Sequence, residues 1–391
     1  MHLRRLFRFF SIAVALTACA TGSTGSRSTA TTNTLTVTTN ASSAPTELSF
    51  TLAVSGDILP HSRLWQGAKR NAIANSTTNQ SGDGYDFRPM FALVKPILSS
   101  VDLAICHLET PIAPADEEFS TFPFFGVPIE ITDALAYAGF DRCSTASNHT
   151  MDRGARGINT TLNALDRVGI SHTGMARTPQ EINPKLILVN GISIAHMSYT
   201  FSYNGLPAAN GETWRSALIN TDRILHDVRL ARKLGAQVVL VSMHWGNERE
   251  SAPSSYQTKI ANVLTKSGEV DLIIGSHAHV LQPINKVNGT WVIYGLGNFL
   301  SDMPTSPKDP PWPASTQDGA IVTTKITVAS DGKISVTKPV VIPTWVDRVS
   351  GWQIRSVMDD LKSKDLNGFT HSELQASLKR TVSVLDDYIR D

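Results

Sequence analysis

The sequence predicts an α/β protein, a sheet-rich sandwich with helices on its outer faces. From Ser49 onward, short apolar runs alternate with segments of helical periodicity, a pattern typical of strands joined by crossover helices. Hairpin signals between other β-rich runs indicate antiparallel pairs in the same chain. Because both kinds of connection occur, we expect mixed sheets and not a purely parallel, doubly wound one.

Four mostly continuous apolar runs are predicted to be strands, because strands covered on both faces lack an alternation of polar and apolar residues. They are 49–57, 102–109, 236–244 and 270–277. Three segments with helical patterns each end at a glycine, a residue favoured at helix C-termini. These helices are predicted at 154–169, 221–235 and 254–268.

Turn residues and a capping pattern place further elements. Hairpins are expected where Asn-Gly or Asp-Gly separates two β-rich runs. Such turns occur at Asn190-Gly191, Asn288-Gly289 and Asp331-Gly332. The tail, 370–391, is predicted to be a terminal helix that opens with a capping box from Thr370 to Glu373.

Composition excludes several classes of protein. The chain has 391 residues, 41% of them hydrophobic, which excludes a disordered chain and is enough to bury a sizeable core. Its 35 Lys and Arg against 34 Asp and Glu give a net charge of +1, so no nucleic-acid partner is expected. Three cysteines do not make a disulfide scaffold. Cys106 and Cys143 lie in apolar runs and are predicted to be buried, and a disulfide between them stays open.

The first 18 residues are predicted to be a signal peptide for export, because basic residues precede a short apolar run and small residues follow it. Leu16-Thr17-Ala18-Cys19 resembles the bacterial lipobox, in which the cysteine is the lipidated first residue of the cleaved protein. We therefore expect a lipoprotein anchored through Cys19 at the outer face of the bacterial cell membrane. Ordinary cleavage after Ala20, giving a secreted protein, is the alternative. Removal of the signal would leave 32 basic against 34 acidic residues.

The mature chain is expected to have three parts. Residues 19–48 are predicted to be a flexible stalk, since 15 of the residues in 20–48 are Ser or Thr and bury too little apolar surface to fold. Residues 49–346 are expected to form the main domain and 347–391 a C-terminal helical extension. The Pro-rich stretch 304–313 is expected to be a surface loop near the rim of the site.

Nearly every predicted strand is followed by a side chain that can bind a metal. These side chains are Asp57, Glu109, Asn148, His149, His244, His277 and His279. Ligands of open α/β sheets bind beyond the carboxyl ends of the strands, so we expect convergence there. The spacing of two between His277 and His279 puts both rings on one side of an extended segment. Each residue alone also fits a turn, a helix cap or a buried imidazole, and their common placement favours the metal site.

The chemistry of these groups suits divalent transition metals. Carboxylate, amide and imidazole ligands together are suitable for Mn, Fe or Zn. No cysteine joins the set, which argues against a structural thiolate zinc site.

Six blocks along the chain resemble those of a known family. They are 56–61 (GDILPH), 107–112 (HLETPI), 147–157 (SNHTMDRGARG), 244–250 (HWGNERE), 275–284 (GSHAHVLQPI) and 294–302 (YGLGNFLSD). In this order they resemble the CapA family of bacterial poly-γ-glutamate capsule biosynthesis proteins. That family is similar in fold to the calcineurin-like metallophosphoesterases. The resemblance, which covers about residues 50 to 302, implies a four-layer αββα sandwich with two metals.

The resemblance also implies a ligand set for one or two divalent ions. Asp57 matches the aspartate of the first block, while Leu59 stands where a histidine is usual and His61 lies at a different spacing. Glu109 matches the metal-bridging position, in a Leu-Glu pair where Gly-Asp is usual. Asn148 matches an amide ligand. The remaining implied ligands are His244, His277 and His279.

Other residues in these blocks are implied to act around the metals. His149 matches the histidine that contacts the leaving group, and would protonate it or stabilise its charge. Asp152, Arg153 and Arg156 follow it and either bind an anionic substrate or are solvated charges at a helix start. Residues that could orient the ligands are Gln282 and Asn298, for which a plain structural role is the alternative.

Three functions fit these expectations. The first is the biosynthesis, anchoring or trimming of an anionic surface polymer of the poly-γ-glutamate type, by metal-dependent hydrolysis or transfer and with capsule-synthesis membrane proteins as partners. The second is a general extracytoplasmic metal-dependent phosphohydrolase acting on phosphoesters. The third, which Leu59 keeps open, is a polymer-binding scaffold without catalysis. A complete dinucleotide fingerprint and a G-x-S-x-G elbow are both missing from the sequence, which disfavours those enzyme classes.

Overall fold

Two β-sheets packed face to face, with helices on their outer faces, organise the fold. A computed structural model of the chain describes residues 47–75, 84–303, 312–363 and 366–390. The predicted signal peptide, Cys19 and nearly all of the predicted stalk lie outside the described residues, as does most of the Pro-rich loop 304–313. None of the helices within the described ranges is long and apolar enough to cross a membrane.

Strands and helices alternate along the chain. The strands are β1 (Leu48–Leu59), β2 (Leu103–Leu108), β3 (Arg142–Ser144), β4 (Ser171–Thr173), β5 (Leu186–Val189), β6 (Ile192–Thr200), β7 (Val238–His244), β8 (Leu272–Ser276), β9 (Ile284–Val287), β10 (Thr290–Ile293), β11 (Asn298–Ser301), β12 (Asp318–Val328), β13 (Ile334–Val336), β14 (Val340–Asp347) and β15 (Gln353–Ser356). The helices are α1 (Ser62–Ala74), α2 (Arg88–Phe91), α3 (Lys95–Leu98), α4 (Glu130–Ala138), α5 (Gly154–Arg167), α6 (Thr221–Lys233), α7 (Ser255–Lys266), α8 (Val357–Leu361) and α9 (Gly368–Leu385).

Both sheets mix parallel and antiparallel pairs. The first sheet has the order β15-β14-β12-β1-β2-β3-β4, with β11 beside β1 and β13 beside β12. Its strands β1 to β4 run parallel, whereas β12, β14 and β15 pair antiparallel. The second sheet has the order β5-β6-β7-β8-β10-β9, parallel from β6 to β10 and antiparallel at both edges. The prediction of an α/β fold with mixed sheets is confirmed.

Successive side chains of the central strands face two different cores, which gives the fold its four layers. In β1, Leu52 and Val54 lie in the core between the sheets, where they meet Leu240 of β7. Ala53 points the other way, into the core beneath α1 to α5. In β7, Val239 faces the core that α6 and α7 cover. Both faces of these strands are buried, so their sequences are apolar without alternation, and the αββα order is confirmed.

The predicted elements of the main domain are present, with bounds within two residues of those expected. The four apolar runs form β1, β2, β7 and β8, and the three helical segments form α5, α6 and α7. The three turn dipeptides join β5 to β6, β9 to β10 and β12 to β13 as antiparallel hairpins.

The start of the terminal helix differs from the prediction. The capping box from Thr370 to Glu373 is wrong, because α9 begins at Gly368 and its N-cap is Asn367. The Asn367 side chain accepts a hydrogen bond from the Thr370 backbone N–H at 2.8 Å. Asparagine caps helices at least as well as threonine, so the earlier of the two capping residues begins the helix.

The two cysteines left open by the sequence are paired. Cys106 and Cys143 are register partners on the neighbouring strands β2 and β3, with their Cα atoms 4.5 Å apart, and form a disulfide. Both are buried, as expected.

The residues after β14 pack against the first sheet. Strand β15 pairs with β14, and Val357 and Leu374 form a small core with Trp345. Arg380 of α9 donates to both carboxylate oxygens of the buried Asp318, at 2.5 and 2.8 Å.

Candidate metal centre and active site

The carboxyl ends of parallel strands from both sheets come together. Asp57 lies near the end of β1, Glu109 directly follows β2, and His244 ends β7. The other predicted site residues also follow strands: Asn148 and His149 come after β3, and His277 and His279 after β8. The strand-end pattern in the sequence therefore reflects one location in the fold.

Six of these side chains form one buried cluster. They are Asp57, Glu109, Asn148, His244, His277 and His279, each at most 3% exposed. His244 Nε2 lies 2.9 Å from Asn148 Oδ1 and 3.9 Å from Glu109 Oε1. His279 Nε2 lies 3.7 Å from the same Glu109 oxygen, and its Nδ1 lies 3.3 Å from Asp57 Oδ2. Glu109 is therefore flanked by a histidine on each side.

The backbone around Asp57 needs a glycine. A Cβ on Gly56 would lie 2.1 Å from the carbonyl oxygen of Gly297, so a side chain there would displace β1. The register of β1 with β11 shifts between Asp57 and Ile58, which marks an irregularity at Asp57 itself. Asp57 Oδ2 then accepts the backbone N–H of His277 at 3.0 Å, and this bond ties the two sheets together at the cluster.

The loop after β8 presents its two histidines in a different way from that expected. The sequence predicted an extended segment, but β8 ends at Ser276 and both His277 and His279 have positive φ, +93° and +57°. That prediction of local structure is wrong. Both rings still face the cluster, with their centroids 5.8 Å apart, and the His277 ring lies 4.6 Å from that of His244. The strained backbone turns the two side chains inward.

Unpartnered buried atoms show that the cluster fits a metal. Both carboxylate oxygens of Glu109, Oδ1 of Asp57 and Nδ1 of His277 are buried and have no hydrogen-bond partner. Such atoms are costly in a protein interior unless a cation or a donor satisfies them. These are oxygen and nitrogen donors, which suit divalent transition metals.

Two groups of three within the cluster have ligand atoms that all lie within 4.8 Å of one another. The groups are Asp57, Glu109 and His279, and Glu109, His244 and His277. Glu109 belongs to both, which is the geometry expected of a carboxylate shared between two cations. Asn148 Oδ1 faces the second group through its contact with His244.

Burial and charge shape the protonation of the cluster. Burial raises the pKa of Glu109 well above its usual value, and lowers the pKa values of His244 and His277 well below theirs. Burial also acts to lower the pKa of His279, but the neighbouring Glu109 and Asp57 carboxylates outweigh it and raise that pKa to about 10. Burial therefore makes a charged Glu109 carboxylate costly and keeps His244 and His277 neutral, and a divalent cation would stabilise the carboxylate against that cost.

The two residues near the missing histidine position do not extend the cluster. Leu59 is buried and lines the cavity next to the cluster. Its side chain is apolar, so it adds no metal-binding atom there. His61 also lines the cavity, and its Nδ1 accepts the backbone N–H of Asp302 at 3.3 Å. It belongs to neither ligand group.

His149 stands at the wall of a cavity that opens beside the cluster. Its Nδ1 lies 2.7 Å from Asp152 Oδ2, and its backbone N–H donates to Ser147 Oγ at 3.1 Å. The cavity has a volume of about 570 Å³. Its described lining consists of Leu59, His61, Phe122, Pro123, Phe124, Phe125, Asn148, His149, Asn204, Glu248, His279, Met303 and Trp312. Met303 directly precedes the Pro-rich stretch 304–313, and Trp312 belongs to it.

The charged residues after His149 are absent from the lining of the cavity and have partners within the protein. Arg153 donates to the Glu117 carboxylate at 2.9 Å and to the carbonyl oxygens of Glu118 and Phe125 at 2.9 and 3.2 Å. Arg156 pairs with Asp116 and Glu117. Asp152 orients His149. Asp152 and Arg153 thus hold the histidine and the loop 116–125. Arg156 is 59% exposed in the first turn of α5, so the alternative of a solvated charge at a helix start describes it.

The two residues expected to orient ligands differ in their contacts. Asn298 Oδ1 lies 2.9 Å from His279 Nδ1, while its Nδ2 donates to the carbonyl oxygen of Thr316 at 2.9 Å. This leaves Oδ1 as the acceptor for the His279 ring. Gln282 contacts none of the six cluster residues by a hydrogen bond; it joins the Gln257 side chain and the Glu250 carbonyl oxygen, and so braces the loop after His244.

Sequence reasoning missed two residues beside the cluster. His107, in β2, has its Nε2 2.9 Å from His244 Nδ1, and burial lowers its pKa to about 4. Its spacing of two from Glu109 was the available signal, since i and i+2 share a face of a strand. Glu248 is exposed, and its carboxylate lies within reach of His277 and His279. It follows His244 in the HWGNERE block, where only the histidine stood out.

The comparisons with known proteins agree with the recognised blocks. The sequence is 28% identical over 256 residues to PGA biosynthesis protein CapA of Bacillus subtilis (strain 168), which covers 63% of this chain and 64% of that protein. It is 29% identical over 232 residues to Capsule biosynthesis protein CapA of Bacillus anthracis, which covers 57% of this chain and 55% of that protein. The chain therefore spans more than half but less than two thirds of the length of these relatives.

Among solved structures, the calcineurin-like phosphoesterase YfkN of Bacillus subtilis has a TM-score of 0.45 and 12% identity, covering 86% of this chain and 99% of that chain, which is a likeness of fold alone. Residues 51–303, well over half of the chain, match the family described as "Bacterial capsule synthesis protein PGA_cap", and all six blocks lie within that range. The chain therefore belongs to the bacterial capsule synthesis protein family PGA_cap.

Proposed function

We propose that this chain is an exported, metal-dependent enzyme of capsule synthesis. It would hydrolyse an anionic polymer of the poly-γ-glutamate type or transfer part of that polymer to an acceptor. Its part in the cell would be the biosynthesis, anchoring or trimming of that polymer. Family membership and the names of the two relatives support the polymer. The observation that carries the chemistry is Glu109, fully buried, with both oxygens unpartnered, between two sets of ligand atoms.

The six cluster residues would hold one or two divalent cations of Mn, Fe or Zn, with Glu109 shared. When bound, such a cation supplies Lewis-acid activation of water and of the attacked group. Leu59 removes one side chain from the Asp57 side, but Asp57, Glu109 and His279 remain there. Three protein ligands with an open position are typical of catalytic metal sites, so the loss of one histidine does not favour the scaffold alternative.

His149 would serve as the proton donor to the leaving group. Asp152 Oδ2 accepts the proton at His149 Nδ1, which leaves Nε2 as the nitrogen that can act on a group in the cavity. The carboxylate also stabilises the charged imidazolium that must form in such a cycle. The position of His149 in the cavity wall, next to Asn148 of the cluster, supports this role.

The positive charge that receives an anionic polymer would come from the metal centre. Among the described residues that line the cavity there is no Lys or Arg. The two arginines that follow His149 in the sequence are engaged by the loop 116–125. Without bound cations, the cluster offers no net positive charge, and the Glu248 carboxylate in the cavity wall would repel a polyanion. Metal binding and polymer binding are therefore expected to depend on each other.

The site of action would be the outer face of the membrane, with the chain anchored through Cys19. The supporting observations are the basic-then-apolar segment 1–18 and the lipobox-like residues that follow. Replacing Cys19 by Ser should release the chain from the membrane fraction into the medium. A chain that is found in the medium with Cys19 intact would favour the secreted alternative.

One experiment separates the proposed enzyme from its alternatives. In cells that lack the chain, the wild type should restore surface polymer and Glu109→Gln should not, while both are present in equal amounts. Full restoration by Glu109→Gln would favour a scaffold. The purified full chain with Mn²⁺ should also be assayed on 4-nitrophenyl phosphate. Turnover of that ester, combined with unchanged polymer in the deleted cells, would favour a general phosphohydrolase.

A further inference from the structure

A chain of buried polar groups leads away from the cluster into the core between the sheets. His244 Nδ1, on the side of the ring opposite the cluster, lies 2.9 Å from His107 Nε2. His107 Nδ1 lies 2.9 Å from Ser144 Oγ, and Ser144 Oγ lies 3.2 Å from the carbonyl oxygen of Cys106. The two histidines and the serine are each at most 4% exposed. We call these three residues the relay.

Two arrangements of the protons satisfy the contacts of the relay, since a neutral imidazole has one ring proton. In the first, Ser144 Oγ donates to His107 Nδ1, His107 Nε2 donates to His244 Nδ1, and His244 Nε2 donates to Asn148 Oδ1. In the second, the two bonds within the relay are reversed and the bond from His244 Nε2 to Asn148 is absent. His244 Nδ1 donates to His107 Nε2, His107 Nδ1 donates to Ser144 Oγ, and Ser144 donates to the Cys106 carbonyl.

The orientation of Asn148 makes the second arrangement informative. Asn148 Nδ2 donates to Asn204 Oδ1 at 3.3 Å, so the oxygen of the amide faces His244 Nε2 at 2.9 Å. In the second arrangement both of these atoms are acceptors, with no proton between them. Two ligands at about 2.1 Å from one cation and at right angles to each other lie about 3 Å apart. The observed distance therefore suits a shared cation as well as it suits a hydrogen bond.

We propose that His107 is a positioning residue for the metal centre: in the metal-loaded protein it accepts the Nδ1 proton of His244, so that His244 presents the bare Nε2 to the cation beside Asn148. This inference rests on the proposed function. It adds that the second arrangement belongs to the loaded protein and the first to the metal-free protein.

The end of the relay explains why the second arrangement is stable. The last acceptor is a backbone carbonyl, which can only accept, so the row of donors has a fixed end. Ser276 Oγ also lies near His244 Nδ1, but at 3.3 Å against 2.9 Å for His107 Nε2, so His107 is the better-placed acceptor. A metal-bound histidine usually donates its other ring N–H to a carboxylate, a carbonyl or water. Here the neutral imidazole of His107 would accept that N–H. No third carboxylate is therefore added near Asp57 and Glu109.

The direct test is the position of the ring protons in the full chain, labelled with ¹⁵N-histidine and loaded with Zn²⁺, which is diamagnetic. Long-range ¹H–¹⁵N spectra distinguish protonation at Nδ1 from protonation at Nε2, and the His107→Gln variant assigns the His107 signals. We expect His107 and His244 both to have the proton on Nδ1 with zinc, and both on Nε2 after zinc is removed. A proton on His107 Nε2 in the zinc-loaded protein overturns the proposal.

The second test compares zinc affinities of three variants by calorimetry. His107→Leu removes the acceptor and should weaken zinc binding by about 10- to 100-fold, the usual cost of losing a partner behind a metal ligand. His107→Gln keeps an oxygen near the position of Nε2 and should recover most of that loss. Ser242→Ala is the matched control, because Ser242 is buried in the same layer but bonds to His196 at 2.8 Å and not to the relay. Its zinc affinity should equal that of the wild type.

The outcomes separate the inference from the function on which it rests. Equal zinc affinity in His107→Leu and the wild type overturns the positioning role. If the wild-type chain binds no divalent cation, the proposed function and this inference are both wrong. If it binds zinc with His107 protonated on Nε2, only the inference is wrong. Should His107→Leu fail to fold, the proton positions in the wild type decide the matter alone.

Discussion

The carboxylate of Asp152 and the imidazole of His149 meet at 2.7 Å, between Oδ2 and Nδ1. The same carboxylate oxygen accepts the backbone N–H of Phe125 at 2.7 Å. The Phe125 ring packs edge-on against the His149 ring, with the centroids 4.7 Å apart. One carboxylate therefore fixes both the histidine that would donate a proton and the aromatic wall of the cavity beside it.

Replacing Asp152 by Asn should impair the proton transfer from His149. A neutral amide still accepts a hydrogen bond but no longer stabilises the imidazolium. General acid catalysis is worth about 10²- to 10⁴-fold, and it matters most for poor leaving groups. We expect turnover of an alkyl phosphate to fall by about 10²-fold or more, and that of 4-nitrophenyl phosphate, which has a good leaving group, to fall less. The measurement is kcat for both esters with Mn²⁺.

His149→Asn is the reference for this prediction, because it removes the proton donor itself and should show the same dependence on the leaving group. An equal loss for both esters in Asp152→Asn would contradict the proposed link between the two residues. It would mean that the carboxylate acts only through Phe125 and the cavity wall.

The fold could be predicted from sequence because its strands are covered on both faces. Leu52 and Val54 are buried in the core between the sheets and Ala53 is buried in the core beneath the helices. Because both faces of such a strand are apolar, continuous apolar runs were enough to locate the central strands. The first residue of α9 was predicted less accurately than the central strands. Asn367 and Thr370 have similar capping preferences, and local sequence does not decide between them.

The candidate site could be predicted only where it depends on strand ends. That rule located Asp57, Glu109 and His244, because parallel strands bring their carboxyl ends together. It missed His107, which acts from inside a strand. It also gave no account of Arg153, since its partners lie in the irregular loop 116–125, whose path has no signature in composition or periodicity.

Removal of divalent cations should lower the free energy of unfolding of the full chain. A ligand that binds only the folded state stabilises it by about 2.7 kcal/mol at about 100 times its dissociation constant. Dialysis against a chelator, followed by urea unfolding with and without Mn²⁺, measures this difference. The physical reason is that bound cations would satisfy the unpartnered oxygens of Asp57 and Glu109.

Glu109→Gln is the control for the effect of cations. It removes the shared carboxylate, so most of the gain from Mn²⁺ should disappear. The metal-free variant should be at least as stable as the metal-free wild type, because burial, which raises the Glu109 pKa well above normal, penalises a charge there. A Mn²⁺ gain as large as that of the wild type would contradict the assignment of Glu109 as a ligand.

Acid should destabilise the metal-free protein through its buried histidines. Burial lowers the pKa of His61 to about 3 and that of His107 to about 4. Both values lie below the pKa of about 6.5 in the unfolded chain, so the unfolded state takes up protons first as the pH falls. Stability is therefore complete above about pH 6.5 and is lost towards pH 4, by at most about 1.4 kcal/mol per pH unit for each histidine.

Urea unfolding of the metal-free chain at several pH values between about 4.5 and 7 tests this dependence. His107→Gln has no group that titrates at this position, so its stability should fall less steeply with acid than that of the wild type. If the two slopes were the same, the buried state of His107 would not contribute to the acid sensitivity.

Arg153 should be needed to hold the loop that forms the aromatic wall. Its side chain is 17% exposed and bonds to the Glu117 carboxylate, to Ser120 Oγ and to two backbone carbonyls of the loop. Arg153→Ala leaves these acceptors without their donor, which should cost about 1–3 kcal/mol in the free energy of unfolding. It should also speed proteolysis within residues 116–126.

Arg156, in the first turn of α5, provides a comparison with Arg153, the N-cap residue of the same helix. Its side chain is 59% exposed and pairs with Asp116 and Glu117 at the surface. Exposed ion pairs contribute little, so Arg156→Ala should cost less than about 1 kcal/mol and leave the cleavage rate near that of the wild type. Equal costs for the two variants in urea unfolding would show that the loop is held by charge alone. A larger cost for Arg153→Ala, together with faster cleavage, would show that its bonds to the backbone fix the loop beside His149.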